Sequence, residues 1–208
     1  YNKLTFKKGI NTLKKNGLET KLKKLAFRNF LINYAHYCFH SLKRPMISIK
    51  LATSADSKIS YSNGISKWIT SKLSRKHVHH IRSNYDAILV GSNTFTADNP
   101  SLTVRVDGYE KPICRVVLDT NLILRRQSNL IKTINKNPLI IFTNKSLSSL
   151  KAKAYIEKGI KIFYIKKLAN GQLCISSIIK KLHELNYQKI LIEGGAKTAS
   201  SFLNKGYC

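Results

Sequence analysis

The sequence predicts an α/β fold with a mainly parallel sheet and helices on both faces. Three observations carry this. Short apolar runs recur at Asp86–Gly91 (DAILVG), Arg115–Asp119 (RVVLD), Leu139–Thr143 (LIIFT) and Lys189–Ile192 (KILI). Such runs are the pattern of strands covered on both sides. Stretches of helical periodicity, Leu147–Lys158 and Ile175–Leu185, stand between them, so strands alternate with helices. That order makes parallel strands with crossover helices. The last run continues through Glu193, Gly194 and Gly195 into a helical Ala196–Leu203. A glycine pair between a strand and a helix N-terminus points free N–H groups at one spot, which suits a phosphate.

The 208 residues hold one domain, or one domain and part of another. An apolar fraction of 43% is enough for a core, and no run is long enough to span a membrane. The first residues lack the apolar segment of a signal peptide, and position 1 is Tyr, which reads as a piece of a longer chain. Thirty-seven Lys and Arg against ten Asp and Glu give +27. A nucleic-acid partner is one reading of that charge. The lysines are scattered doublets rather than one arm, so the favoured reading is a generally basic surface that draws in phosphorylated ligands. Cys38, Cys114, Cys174 and Cys208 lie far apart without zinc spacing, as reduced thiols of a cytoplasmic protein with no bound metal would.

Residues 1–43 are lysine-rich, with Leu22, Leu25, Ala26, Asn29 and Phe30 on one helical face. His36 and His40 are four apart, but Tyr37 stands where a zinc protease needs Glu; they read as two partly buried histidines. Lys43-Arg44-Pro45 marks a boundary. Met46–Ala52 alternates as a strand, with Lys50 on its polar side near the C-terminal end. Ligands of open α/β sheets gather at such ends, where Gly91, Asp119 and Glu193 also fall. Thr70 or Ser71 caps a helix to Arg82, with Leu73, His77, Val78 and Ile81 inward. Ser92–Arg105 reads as a polar loop carrying Thr94, Asp98 and Arg105.

Taken together, RPMISIKLATSADSKIS, GISKWIT, DAILVGSNTFTADNPSLTVR, RVVLDT and LIEGGAKTASSFLNKG resemble, in order, the reductase domain of the bifunctional riboflavin-biosynthesis deaminase–reductase. The resemblance covers 44–206, and 9–43 look like the tail of the preceding deaminase domain. It implies a dihydrofolate-reductase-like fold for 44–208, with further strands beyond Cys208, so that the reductase domain is C-terminally incomplete. It implies NADPH as cofactor, a homodimer, and reduction of the ribosyl group of 5-amino-6-(5-phosphoribosylamino)uracil.

Carried over by position, Ala52, Trp68, Thr94, Asp98, Thr120, Gly195, Ala196, Lys197, Thr198, Ala199, Ser200 and Ser201 would contact NADPH. Ser66, Arg82, Leu102, Arg105 and Glu193 would contact the substrate. Residue type and position add Lys50 as the group that polarises or protonates the reacting centre, with Asp98 helping to move the proton. Arg82 and Arg105 suit the phosphate, and Glu193 suits pyrimidine N–H groups. The chain departs from the family at Ser57, which stands where a glycine is usual and strains a turn beside the cofactor. The rival readings are a related reductase of another pyrimidine- or pterin-like substrate, a basic nucleic-acid-binding module, and an inactive remnant.

Overall fold

Residues 6–21, 26–59, 69–106 and 108–208 are described by the computed structural model. Three helices come first: α1 (Phe6–Lys15), α2 (Ala26–Ile32) and α3 (Tyr34–His40). The first strand, β1 (Met46–Ile49), is followed by α4 (Lys72–Ser83), β2 (Ala87–Gly91) and α5 (Ser92–Asp98). A short hairpin, β3 (Val104–Val106) and β4 (Tyr109–Lys111), precedes β5 (Cys114–Leu118) and α6 (Asn129–Lys132). Then β6 (Leu139–Thr143), α7 (Leu150–Glu157), β7 (Lys161–Tyr164), α8 (Ile175–Glu184), β8 (Lys189–Ile192) and α9 (Ala196–Leu203) complete the chain.

Six strands pair in the order β1-β8-β2-β5-β6-β7, and every pair is parallel. The expected architecture is therefore present. Side chains alternate across a strand, so each strand feeds two cores. Ile88, Val90, Val117 and Ile141 pack with Phe95 of α5, Leu130 of α6 and Tyr155 of α7. Leu89, Val116, Phe142 and Ile190 pack with Ile178 and Leu182 of α8 and Phe202 of α9 on the other face. Burying both faces is what the continuous apolar runs require.

Several local expectations change. The strand from Met46 stops at Ile49 instead of Ala52, because its partner β8 ends at Ile192. Ser92–Arg105 is not one loop: it holds α5 and β3. Only Phe95 of α5 is buried, and one anchor in seven residues leaves no periodicity to read. Ser71 caps α4 as expected, its side chain accepting from the Ser74 N–H at 3.1 Å. Yet Leu73 and His77 are exposed, and no residue of α4 is fully buried. The helix lies along β3 rather than on the sheet's core, so its half-buried face is Arg75, Val78, His79 and Arg82.

Leu203 of α9 is also exposed, beyond the Ala199–Phe202 contact face. His36 and His40 are both exposed, their rings 4.2 Å apart. Asn29 and Phe30 are exposed too, and Phe30 packs edge-on against Tyr34 and Tyr37. Leu22 and Leu25 lie outside the described residues. The helix α3 does dock on the body: Ala35 and Cys38 are buried, and the Phe39 carbonyl lies 2.9 Å from His183 Nε2.

Candidate active site

The C-terminal ends of β1, β8 and β2 converge. The Lys50 N–H donates to the Ile192 carbonyl at 3.0 Å, and the Glu193 N–H donates to the Leu89 carbonyl at 2.9 Å. This places Lys50, Glu193 and Gly91 side by side on three neighbouring strands. Over them opens a cavity of about 680 Å³, within the ordinary range for a small-molecule site. Beside the strand ends, directly after Gly194 and Gly195, stands the N-terminus of α9.

The sheet end is charged. Glu193, its side chain 8% exposed, accepts from Arg82 Nε at 2.6 Å and from Arg82 Nη2 at 3.0 Å. Arg82 Nη1 donates to the Thr103 carbonyl at 2.9 Å. Lys50 Nζ lies 3.8 Å from the second Glu193 oxygen. One carboxylate thus faces two cations, which leaves a net positive charge at the mouth of three strands and favours an anionic ligand. Arg105 stands apart: its side chain is exposed, and its backbone N–H donates to His79 Nδ1 at 3.2 Å. Burial, then the Arg82 and Arg105 charges, push the His79 imidazole below its ordinary value, so the ring stays a neutral acceptor.

The α9 end is built by steric fit. Gly195 caps the helix with φ −69°, and neither it nor Gly194 adopts a positive φ, contrary to the expected reason for two glycines. The requirement at Gly194 is space. A Cβ there would lie 2.7 Å from Thr198 Cβ, and a Cβ on Gly91 would strike the Thr198 hydroxyl. Thr198 therefore wedges α9 against the ends of β8 and β2. No side chain caps α9, and its first turn carries no acid, so the leading N–H groups and the positive helix end are presented at the cavity.

Of the residues expected at the cofactor, Ala52, Thr94, Asp98, Thr120, Gly195, Ala196, Lys197, Thr198 and Ser201 line this cavity. Ala199 is buried beneath α9 and Ser200 is exposed; neither lines it. Lys50, Arg82, Leu102 and Glu193 line it as well, and Arg105 does not. Ser66 and Trp68 lie outside the described residues.

Leu102 is buried with φ +50°, a left-handed strain of the kind stored at binding sites. Asp119, expected at the crevice, instead accepts from the Ile123 and Leu124 N–H groups at 2.8 Å each and is fully buried. Two features were missed: Gln172 and Leu173, from the loop before α8, line the cavity, and His79 Nδ1 accepts the backbone N–H of Arg105. Among the described residues no cluster of His, Cys, Asp and Glu suits a metal ion, and no helix is long and apolar enough to cross a membrane.

Residues 45–208 match the family described as the RibD C-terminal domain. The chain belongs to the RibD C-terminal domain family.

A RibD relative, the riboflavin biosynthesis protein RibD of Aquifex aeolicus, is 34% identical over 99% of this chain and 56% of its own length. The RibD of Bacillus amyloliquefaciens is likewise 34% identical, over 99% and 54%. Among solved structures, a Thermotoga maritima protein has a TM-score of 0.78 at 29% identity, over 95% of this chain and 52% of that one. That protein is described as a diaminohydroxyphosphoribosylaminopyrimidine deaminase/5-amino-6-(5-phosphoribosylamino)uracil reductase. Acinetobacter baumannii RibD has a TM-score of 0.80 at 23% identity, a likeness of fold. The α/β sheet is thus the dihydrofolate-reductase-like fold of the RibD C-terminal domain. The chain spans about half the length of the RibD relatives it matches.

Proposed function

We propose that this chain carries the NADPH-dependent reduction of the ribosyl group of 5-amino-6-(5-phosphoribosylamino)uracil to the ribityl chain, in a cytoplasmic homodimer. The observation that carries the reading is one cavity with two unlike ends. Lys50, Arg82 and Glu193 meet at the strand ends, and an uncapped helix N-terminus, reached through a glycine pair, lines the same cavity. Family membership supports it.

The residues fit the cofactor. The free N–H groups of α9, with Lys197 and Thr198, would hold its phosphates, and Thr94, Asp98 and Thr120 line the same space. When bound, NADPH supplies the hydride. The chain's own groups do the rest. Lys50 would protonate the ribose oxygen released as the ring opens at C1′, and Asp98, which lines the same cavity, would help to move the proton.

Arg82 already uses three of its five N–H groups, on Glu193 and Thr103. It fixes the carboxylate that would accept from the pyrimidine N–H groups. Arg105, exposed outside the cavity lining and without an ion pair among the described residues, would keep its guanidinium for a phosphate that reaches beyond the cavity.

The test is turnover by the full-length protein. NADPH oxidation should depend on the aminouracil substrate and yield the ribitylamino product by mass spectrometry, and Lys50→Ala should lower kcat more than NADPH affinity. No substrate-dependent oxidation would overturn the reading.

A further inference from the structure

The strand β3 carries Arg105 and the helix α4 carries Arg82, and α4 packs along β3. A ring nitrogen joins them: His79 Nδ1 accepts the Arg105 backbone N–H at 3.2 Å. One turn further along α4, Arg82 donates to the carbonyl of Thr103, which lies two residues before Arg105. The β3 segment is therefore pinned to α4 at two points, one through each side chain. The hairpin is otherwise slight, with three paired positions: Val104 with Lys111, Arg105 with Glu110 and Val106 with Tyr109. Three residues a side, outside the main sheet, hold little independent stability. Val104 anchors the segment in the core and Lys111 Nζ donates to the Ser83 carbonyl at 2.6 Å, while the backbone N–H of Arg105 itself is held by α4 through His79.

We infer that His79 is a positioning residue for the phosphorylated substrate, a neutral acceptor that fixes the Arg105 backbone so that two arginines stand in register. The inference rests on the reductase reading above for the identity of the ligand, and on geometry alone for the link.

A histidine nitrogen accepts only when unprotonated. The charged groups facing the ring are Arg82 from its own helix, Arg105 from β3 and Glu193 from β8. Burial first, and then two cations against one carboxylate that is itself paired with Arg82, keep the ring neutral. The Thr103 backbone and Glu193 oppose this, but less strongly than burial and the two arginines. Protonation at Nδ1 would remove the acceptor and add a third positive charge beside Arg82 and Arg105. The same contact is thus a link at neutral pH and a repulsion in acid.

The experiment has two arms on the full-length protein. In the first, the Arg105 amide is followed by 15N NMR and hydrogen exchange between pH 5 and 8. Its resonance should titrate with an apparent pKa below the ordinary 6.5 of histidine, its exchange should quicken in acid beyond the intrinsic trend, and both effects should vanish in His79→Asn. In the second, steady-state kinetics are compared at pH 7.5. His79→Leu should raise KM for the phosphorylated substrate about tenfold, the worth of one lost hydrogen bond, with KM for NADPH unchanged. His79→Asn, whose side-chain oxygen can replace Nδ1, should restore most of it. An Arg105 amide indifferent to pH, or a His79→Leu enzyme whose substrate KM is unchanged, overturns the inference. Should the wild type fail to turn over the aminouracil, the reductase reading falls and the amide titration still decides the link.

Discussion

Arg82 and Glu193 meet side-on in two hydrogen bonds, 2.6 and 3.0 Å long, although 111 residues separate them. The pair ties the end of α4 to the end of β8. Removing one partner leaves a largely buried charge, which costs about 3–5 kcal/mol at fully buried sites. With Arg82 14% exposed and Lys50 close by as a second cation, Arg82→Met should lose about 2–3 kcal/mol in urea denaturation. The double variant Arg82→Met/Glu193→Leu should recover part of that loss. Strictly additive losses would mean that the pair is not coupled.

Gly194→Ala should displace α9. The added Cβ would stand 2.7 Å from Thr198 Cβ, with the Thr198 methyl at 3.0 Å. Overpacking of this kind costs about 1–3 kcal/mol, and here it pushes the helix N-terminus off the strand ends. NADPH affinity by titration calorimetry should fall together with the melting temperature. Gly195→Ala, which meets nothing within 4 Å, is the control for steric cost and should be much milder in stability.

Ser57 sits at φ +63° in a turn closed by the Ser54 N–H to Lys58 carbonyl bond of 2.9 Å and the Ser57 N–H to Ser54 carbonyl bond of 3.0 Å. The left-handed region costs a residue with a Cβ about 1–2 kcal/mol, and glycine's extra unfolded freedom offsets about 0.5–1 of that. Ser57→Gly should therefore stabilise the protein by about 0.5–1 kcal/mol. A lowered midpoint in denaturant would show that the hydroxyl matters more than the backbone.

His79 also predicts a pH slope. Its folded-state affinity for a proton is lowered, first by burial and then by Arg82 and Arg105. The unfolded chain then binds more protons than the folded one between the lowered value and the ordinary 6.5. The stability contributed by the neutral ring is complete above 6.5 and is lost as the pH falls through that interval. The difference in unfolding free energy between wild type and His79→Asn should shift against the wild type as the medium is acidified. A difference that stays flat from pH 8 to 5 would contradict it.

The sheet was legible because its strands are buried on both faces: DAILVG, LIIFT and KILI need no context to be read as strands. The cavity ends were legible from motif order, since Glu193, Gly194 and Gly195 directly follow a strand. What escaped was pairing at a distance. Arg82 and Glu193 each suited a ligand on residue type, and nothing local shows that they bind each other first. His79 lay among three histidines on a polar helix, and its role exists only because β3 passes beside it. The helix α5 was hidden because a single apolar residue, Phe95, anchors it. Arg115 was read as one more position of a buried strand; it is fully buried, donating to Thr133 Oγ1 at 2.6 Å and to the Asn137 carbonyl.

The position of β8 has a consequence for synthesis. Among the described residues it is the last strand in sequence, yet it lies between β1 and β2, the first two strands of the sheet. In this sheet β1 and β2 are joined only through residues 189–192. A nascent chain can close β2, β5, β6 and β7 into a sheet as they emerge, while β1 waits for β8, its strand partner among the described residues. Long-range parallel pairing of this kind is slow and open to aggregation. The ligand cavity, whose floor is Lys50 and Glu193, does not exist at any earlier stage of translation. A ribosome stalled before residue 189 would hold a partly folded protein without a binding site, and pulse-labelled nascent chains should gain protease resistance around Met46–Ile49 only after that point.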